Sequence, residues 1–124
     1  MANELILIVE DNPKNLKLVR DTLQVKGYQT IETETGEEGV QLARERHPAL
    51  ILMDIQLPGM SGIEALQELR ADPETRPTPV IAITASVMTQ DTKRIIAAGF
   101  DGFQGKPISV KQLLATVREI LDKP

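Results

Sequence analysis

Residues 50–54 read Leu50-Ile51-Leu52-Met53-Asp54, an uninterrupted apolar run that stops at a carboxylate. A strand with one face in water alternates apolar and polar side chains, whereas a strand covered on both faces is apolar throughout. Residues 5–9 and 80–83 have the same continuous apolar character. The three runs therefore predict the central strands of a parallel sheet that is covered on both faces.

Helical patterns lie between these runs. Asn12-Pro13 is typical of a helix start, in which an N-cap residue is followed by proline at the first helical position. A further helix is predicted from about Thr89 to Ala98, with Gly99 as its stop. Three other helix starts have capping-box spacing, and they are Thr35 with Glu38, Ser61 with Glu64, and Ser109 with Gln112.

Two weaker strand candidates, Gln29 to Thr33 and Asp101 to Gln104, suit the edges of the sheet. The β-α alternation predicts an α/β fold, a doubly wound five-stranded parallel sheet with right-handed crossovers. Three central and two edge strands fit the order 2-1-3-4-5 of flavodoxin-like folds. The 124 residues contain no visible repeat or linker, so we expect residues 1–124 to form one domain without an output domain.

The composition excludes several classes of function. A net charge of −4 argues against a nucleic-acid partner, and no apolar run is long enough for a membrane span. The chain has no cysteine, which excludes thiol catalysis and thiolate zinc sites. Its single histidine, His47, lies where the second helix is predicted to end, and we interpret it as a surface turn residue. The start of the chain lacks a secretory signal, so a cytoplasmic location is the default expectation.

Each predicted strand that reaches the centre of the sheet stops at a polar residue suited to chemistry. Glu10 and Asp11 follow the first strand, Asp54 follows the third, and Thr84 follows the fourth. The weak fifth strand leads to Lys106-Pro107. In open α/β sheets, ligands bind outside the carboxyl ends of the strands where the strand order reverses. That point lies between strands one and three, so we expect Asp11 and Asp54 to face each other.

Three carboxylates at one rim repel each other and favour protonation. Lys106 offsets one negative charge and leaves the site anionic. Oxygen ligands without a thiol or imidazole favour a hard cation, and Mg²⁺ with several retained waters is the natural candidate. Alternatively, these carboxylates only cap helices. That alternative is reasonable for Asp11 alone, but it does not explain why acids, Thr84 and Lys106 would all meet at one rim.

These residues resemble those of response-regulator receiver domains, the family of the chemotaxis protein CheY. The resemblance spans essentially the whole chain, and its motifs are residues 6–12 and 52–62, Ile83-Thr84-Ala85 and Lys106-Pro107. No single motif is decisive, but their joint order and spacing are specific. Among subtypes, residues 53–58 and 106–110 are most similar to free-standing DivK-type receivers and to receivers of hybrid kinases.

The resemblance implies that Asp54 is the phosphoacceptor and takes its phosphoryl group from a histidine kinase or a phosphotransfer protein. It implies that Mg²⁺ is bound by Asp11, Asp54 and the carbonyl of Gln56, with Glu10 reaching the ion through water. The implied phosphoryl-binding groups are the Lys106 ammonium, the Thr84 hydroxyl and the backbone N–H groups of Ile55, Gln56 and Ala85. A cis peptide bond before Pro107 is also typical of the family.

The resemblance further implies a switch in which the Thr84 hydroxyl moves to the phosphoryl group and Phe103 turns into the vacated space. That change would alter a protein-binding surface on the fourth helix, fifth strand and fifth helix, which an unknown downstream protein would read. Phe103 could instead be an ordinary core residue of the edge strand. Gln56 and Ser86 are implied to tune the dephosphorylation rate.

Two other functions fit these residues less well. A phosphatase of the haloacid dehalogenase type needs a second aspartate two residues after its nucleophile, and that position holds Gln56. A receiver-like binding module that is never phosphorylated usually lacks an acid, the acceptor or the lysine, and all are retained here. We therefore expect no enzymatic turnover beyond self-promoted aspartyl phosphorylation and dephosphorylation.

Overall fold

The computed structural model of the protein describes residues 3–122, in which five strands and five helices alternate. The strands are β1 (Leu5–Val9), β2 (Gln29–Thr33), β3 (Leu50–Asp54), β4 (Val80–Thr84) and β5 (Gly102–Gly105). The helices are α1 (Pro13–Val25), α2 (Gly36–Arg46), α3 (Gly62–Ala71), α4 (Thr89–Ala98) and α5 (Val110–Leu121). None of the helices in the described part of the chain is both long and apolar enough to cross a membrane.

The strands form one parallel sheet in the order β2-β1-β3-β4-β5. The predicted doubly wound α/β fold and strand order are therefore confirmed. Both β3 and β4 are buried along their whole length, as their continuous apolar sequences predicted. The register pairs Val9 with Met53, Asp54 with Ile83 and Thr84 with Gly105, so these strand ends lie at one edge of the sheet.

Two apolar clusters cover the two faces of the sheet. Ile6 and Ile8 pack with side chains of α1 and α5, whereas Leu7 and Val9 pack with side chains of α2 and α3. Successive side chains of a strand point to opposite faces, so both sets need to be apolar when helices lie on each side. This two-sided core explains why the central strands show no polar alternation.

The helix starts follow the predicted caps, with two differences. The Asn12 side chain accepts hydrogen bonds from the N–H groups of Lys14 and Asn15, as expected of an N-cap. Ser61 and Glu64 form the complete reciprocal capping box. At α2 and α5 only the first half of the box is present, because Thr35 and Ser109 accept the expected N–H bonds without a returned side-chain bond. Glu38 contacts the Thr33 hydroxyl instead.

The predicted start of β5 was one residue too early. Asp101 lies outside the strand, where its carboxylate accepts hydrogen bonds from the Val80 N–H at 2.8 Å and from the Arg70 guanidinium at 2.9 Å. The strand instead extends to Gly105. His47 is exposed and ends α2 in the left-handed conformation, which confirms its interpretation as a turn residue.

Candidate functional site

Asp54 is the last residue of β3 and is only 2% exposed. Its two carboxylate oxygens have different partners. Oδ1 accepts a hydrogen bond from the Gln56 N–H at 2.9 Å, and Oδ2 accepts one from the Lys106 ammonium at 2.7 Å. Lys106 reaches this position from the end of β5, across β4. The ammonium that was expected to offset one negative charge at this rim therefore contacts Asp54 directly.

Glu10 follows β1 and is fully buried. Its Oε2 accepts a hydrogen bond from the Asn12 N–H at 3.1 Å. Its Oε1 has no hydrogen-bond partner within residues 3–122, and the Lys106 Nζ lies 3.6 Å away. A buried carboxylate oxygen without a hydrogen bond is costly unless a positive group approaches it.

The three predicted acids come together at this rim. Glu10, Asp11 and Asp54 each offer one carboxylate oxygen, and these atoms lie within 4.8 Å of one another. Asp11 is exposed, whereas Glu10 and Asp54 are buried. The cluster is therefore closed by protein on one side and open to solvent on the other.

Burial and charge repulsion perturb the protonation of this cluster. Burial, together with the neighbouring Asp54 carboxyl, raises the pKa of Glu10 to about 7. Burial of Lys106 acts to lower its pKa, but the contacts with Asp54 and Glu10 outweigh burial and hold this pKa above its usual range. One ammonium thus faces a cluster of three carboxyl groups.

These features fit a hard divalent cation. The donors are all carboxylate oxygens, one of them buried without a hydrogen bond, and one acid is solvent-exposed. Mg²⁺ prefers oxygen ligands and keeps several of its waters, which suits a cluster that is open on one side. A cation would also offset the burial and the carboxyl repulsion that raise the Glu10 pKa.

Several of the predicted phosphoryl-binding groups already have hydrogen-bond partners in this structure. The Thr84 hydroxyl donates to the Ser86 carbonyl oxygen at 3.1 Å and accepts the Ser86 N–H at 3.2 Å, so it is engaged with its own loop. The Gln56 N–H is directed at Asp54, and Ala85 is exposed beside the site. The Ile55 N–H donates to the Ile83 carbonyl oxygen at 3.0 Å in the sheet ladder.

The position of Ile55 requires a correction to its predicted role. Because its N–H continues the β3–β4 hydrogen bonding, it is not free to hold an oxygen of a group on Asp54. Phe103 is half-buried and packs against the core cluster on the α2, α3 and α4 side. The Lys106-Pro107 peptide bond is cis.

A cavity of about 260 Å³ adjoins the site between the loops that follow β3 and β4. Its walls include Gln56, Thr84, Ala85 and Ser86. The rest of the lining is formed by Ile55 of the loop after β3, by Ile63 of α3, and by Asp91, Arg94 and Ile95 of α4. The cavity leaves free space directly beside the loop that holds the Thr84 hydroxyl.

Two residues matter to the site beyond those chosen from the sequence. A Cβ atom on Gly62 would lie 2.3 Å from the Asp54 carbonyl oxygen and 2.8 Å from the Ile55 Cα, so only glycine allows α3 to start this close to the acceptor. The motif 52–62 contained Gly62 but did not indicate why it was needed. Asp91 accepts a hydrogen bond from the Ser86 hydroxyl at 2.6 Å, and no motif marks that contact.

Comparison with known proteins identifies relatives of the whole chain. Residues 6–118 match the response regulator receiver domain family. The chain is 49% identical over 116 residues to the polar-differentiation response regulator DivK of Brucella ovis, which covers 94% of each chain. The DivK protein of Brucella anthropi is 48% identical over the same share of both chains.

Solved structures of receivers superpose closely on the chain. The receiver domain of a sensor histidine kinase from Pseudomonas aeruginosa, with a magnesium ion coordinated in its active-site cleft, has a TM-score of 0.90 and 31% identity. That comparison covers 98% of this chain and 100% of the other. The chemotaxis protein CheY4 of Vibrio cholerae has a TM-score of 0.89 and 26% identity, covering 96% and 99%.

The fold, the acidic cluster and these relatives all indicate a receiver domain. Receiver domains bind Mg²⁺ at an acidic site of this kind, and they act with histidine kinases or phosphotransfer proteins. The chain therefore belongs to the response regulator receiver domain family, whose general function is to accept a phosphoryl group in two-component signalling.

Proposed function

We propose that the chain accepts a phosphoryl group on Asp54 from the phosphohistidine of a histidine kinase or a phosphotransfer protein. One observation carries the proposal. The Asp54 carboxylate lies between the Lys106 ammonium at 2.7 Å and the carboxylate oxygens of Glu10 and Asp11 within 4.8 Å. Of the three clustered acids, Asp54 is the one whose carboxylate accepts a hydrogen bond from Lys106, whereas Glu10 lies 3.6 Å from the same ammonium.

Transfer exchanges a P–N bond for a P–O bond. A carboxylate oxygen of Asp54 attacks phosphorus, and the histidine nitrogen leaves with the electron pair of the broken bond. The products are an acyl phosphate on Asp54 and a neutral imidazole on the donor, whose ring is protonated on its other nitrogen before the transfer or takes a proton from water as it leaves. Such a transfer needs mainly positioning and stabilisation of charge on the phosphoryl oxygens.

Glu10, Asp11 and Asp54 would hold Mg²⁺, with the carbonyl of Gln56 as a further ligand and Glu10 acting through water. The bound ion would neutralise charge on the phosphoryl oxygens. Lys106 would pass from Asp54 Oδ2 to a phosphoryl oxygen, because its ammonium already lies at hydrogen-bonding distance from the atom that accepts the group.

The backbone N–H groups of Gln56 and Ala85 and the Thr84 hydroxyl would bind the remaining phosphoryl oxygens. Thr84 would first release the Ser86 carbonyl oxygen that it contacts now. Its movement, with Phe103 following, would alter the surface of α4, β5 and α5. Met88 and Ile96 are already 60% and 51% exposed there, which suits binding of a downstream protein.

The chain is proposed to act as a switch and not as an enzyme with turnover. It would promote only its own phosphorylation and dephosphorylation, because Gln56 occupies the position where an aspartyl-phosphate phosphatase has its acid/base aspartate. The cytoplasmic location remains a prediction.

The acceptor assignment is tested with acetyl phosphate and Mg²⁺, followed by intact-protein mass spectrometry. Wild-type protein should gain one phosphoryl group, and Asp54→Asn should gain none because the attacking carboxylate is gone. Asp21→Asn is the matched control, since Asp21 is a half-exposed acid of α1 that pairs with Lys17 away from the site. Phosphorylated Asp54→Asn protein would refute the assignment.

A further inference from the structure

The switch hydroxyl of Thr84 is already engaged in the structure. It donates its single proton to the Ser86 carbonyl oxygen at 3.1 Å, and it accepts the Ser86 N–H at 3.2 Å. A hydroxyl has one proton to donate. Thr84 can therefore donate to an oxygen on Asp54 only after releasing Ser86, so the freedom of Ser86 to move controls the freedom of Thr84.

Ser86 is in turn attached to α4 through its side chain. The Ser86 hydroxyl donates to Asp91 Oδ2 at 2.6 Å, a short bond to an ionisable acceptor, and such bonds are stronger than neutral ones. Asp91 is in the first turn of α4, where its N–H bonds the Met88 carbonyl oxygen at 3.0 Å. Both residues are partly buried, which limits competition from water.

The contacts of residues 85–88, the loop between β4 and α4, show where this loop is held and where it can move. Val87 packs on β5, because a Cβ atom at Gly105 would lie 2.7 Å from the Val87 Cγ1. The loop also borders the cavity of about 260 Å³, whose lining includes Ile55 and Gln56, the two residues that follow Asp54. The loop thus has room to rearrange, and the Ser86–Asp91 bond is the polar side-chain contact that ties it to α4.

We propose that Asp91 is a positioning residue of the switch. Through Ser86 it keeps the Thr84 hydroxyl directed away from Asp54, and the Ser86–Asp91 bond breaks before Thr84 can bind a phosphoryl group. This inference rests on the proposed function of Asp54, but Asp91 itself contacts neither the acceptor nor the acidic cluster. Loss of the bond should therefore favour the phosphoryl-bound conformation without changing the cation site.

The test uses beryllofluoride with Mg²⁺, a stable substitute for the phosphoryl group, and measures its affinity by isothermal titration calorimetry. Asp91→Asn keeps the side-chain shape but weakens the bond, so beryllofluoride should bind about threefold to tenfold more tightly. Ser86→Ala removes the donor and should have a similar effect. If both act through one bond, the double variant should bind no more tightly than the stronger single variant.

Two controls separate this role from a structural one. Asp91 also places a negative charge in the first turn of α4, where it favours the helix. Gln90→Glu added to Asp91→Asn restores that charge one residue earlier, on a different side of the helix, and the raised affinity should persist. Mg²⁺ affinity without beryllofluoride should stay unchanged in all variants, because Asp91 lies outside the acidic cluster.

The possible failures are distinguishable. Wild-type protein that binds Mg²⁺ but no beryllofluoride would overturn the proposed function and this inference together. Wild-type binding with unchanged or weaker binding by both Asp91→Asn and Ser86→Ala would overturn only the positioning role. Additive effects in the double variant, or reversal by Gln90→Glu, would overturn it as well.

Discussion

Glu10 is the residue whose chemistry depends most on its surroundings. It is fully buried, and one of its oxygens has no hydrogen-bond partner in the described chain. The sequence predicted its place beside Asp11 and Asp54, because all three follow parallel strands that end at one edge. It could not predict which acid would be buried, since that depends on how Asn12 and Lys106 pack around it.

Glu10 should make the metal-free protein less stable as the pH rises. Its pKa is about 7 in the folded state against 4.5 as the ordinary value, so the folded state binds more protons between these values. Stability should therefore fall from about pH 4.5 to pH 7, by about 3 kcal/mol at most. Urea unfolding in a chelator across this range measures the slope.

Glu10→Gln is the comparison for this pH effect. Glutamine keeps an acceptor for the Asn12 N–H but does not ionise, so the variant should lose most of the decline and be the more stable protein above pH 7 in chelator. An equal decline in both proteins would show that another group causes it.

The start of α3 determines how closely the helix approaches the acceptor strand. The Gly62 N–H donates to the Ile55 carbonyl oxygen at 2.9 Å, and the Ser61–Glu64 capping box closes the turn. Sequence reasoning predicted the box because it has a fixed spacing. It did not predict the contact of Gly62 with Asp54, because that contact depends on tertiary packing across the loop.

Gly62→Ala should destabilise the protein and impair its phosphorylation. The added methyl group would overlap the backbone of Asp54 and Ile55, which cannot move without displacing the acceptor. The expected loss is about 1–3 kcal/mol, measured by urea unfolding, with slower phosphorylation by acetyl phosphate. Gly102→Ala is the matched control, since its methyl group would have no neighbour closer than 3.7 Å. Equal stability of the two variants would contradict the packing argument.

At the scale of the whole molecule, the continuous apolar runs predicted the sheet and its order correctly. Both clusters of the core follow from side chains that alternate between two helix-covered faces. The start of β5 was predicted one residue too early, because Asp101 lies just before the strand and its carboxylate bonds to Val80 and Arg70. These contacts join segments that are distant in sequence. The bond from the Ile55 N–H to Ile83 was missed for the same reason, whereas the bond between the Thr84 hydroxyl and Ser86 depends on the conformation of the loop after β4.

Mg²⁺ should stabilise the folded protein as a whole, because its site exists only when β1 and β3 are paired. At a concentration of about 100 times its dissociation constant, the gain should be about 2.7 kcal/mol. Thermal unfolding with and without Mg²⁺, at matched ionic strength, measures it. Asp11→Asn should lose most of the gain and Asp21→Asn should retain it. A gain that survives Asp11→Asn would place the ion elsewhere.

The depth of Asp54 within the sheet edge has one more consequence. With helices on both faces and neighbouring strands on both sides, the 2% of its surface that remains exposed is the only route to it in the described structure. An incoming donor and the water that later hydrolyses the acyl phosphate must share that entrance. A substitution that widens this entrance should therefore accelerate hydrolysis of the acyl phosphate as well as phosphorylation of Asp54. Steric access alone thus cannot prolong the phosphorylated state without also slowing its formation.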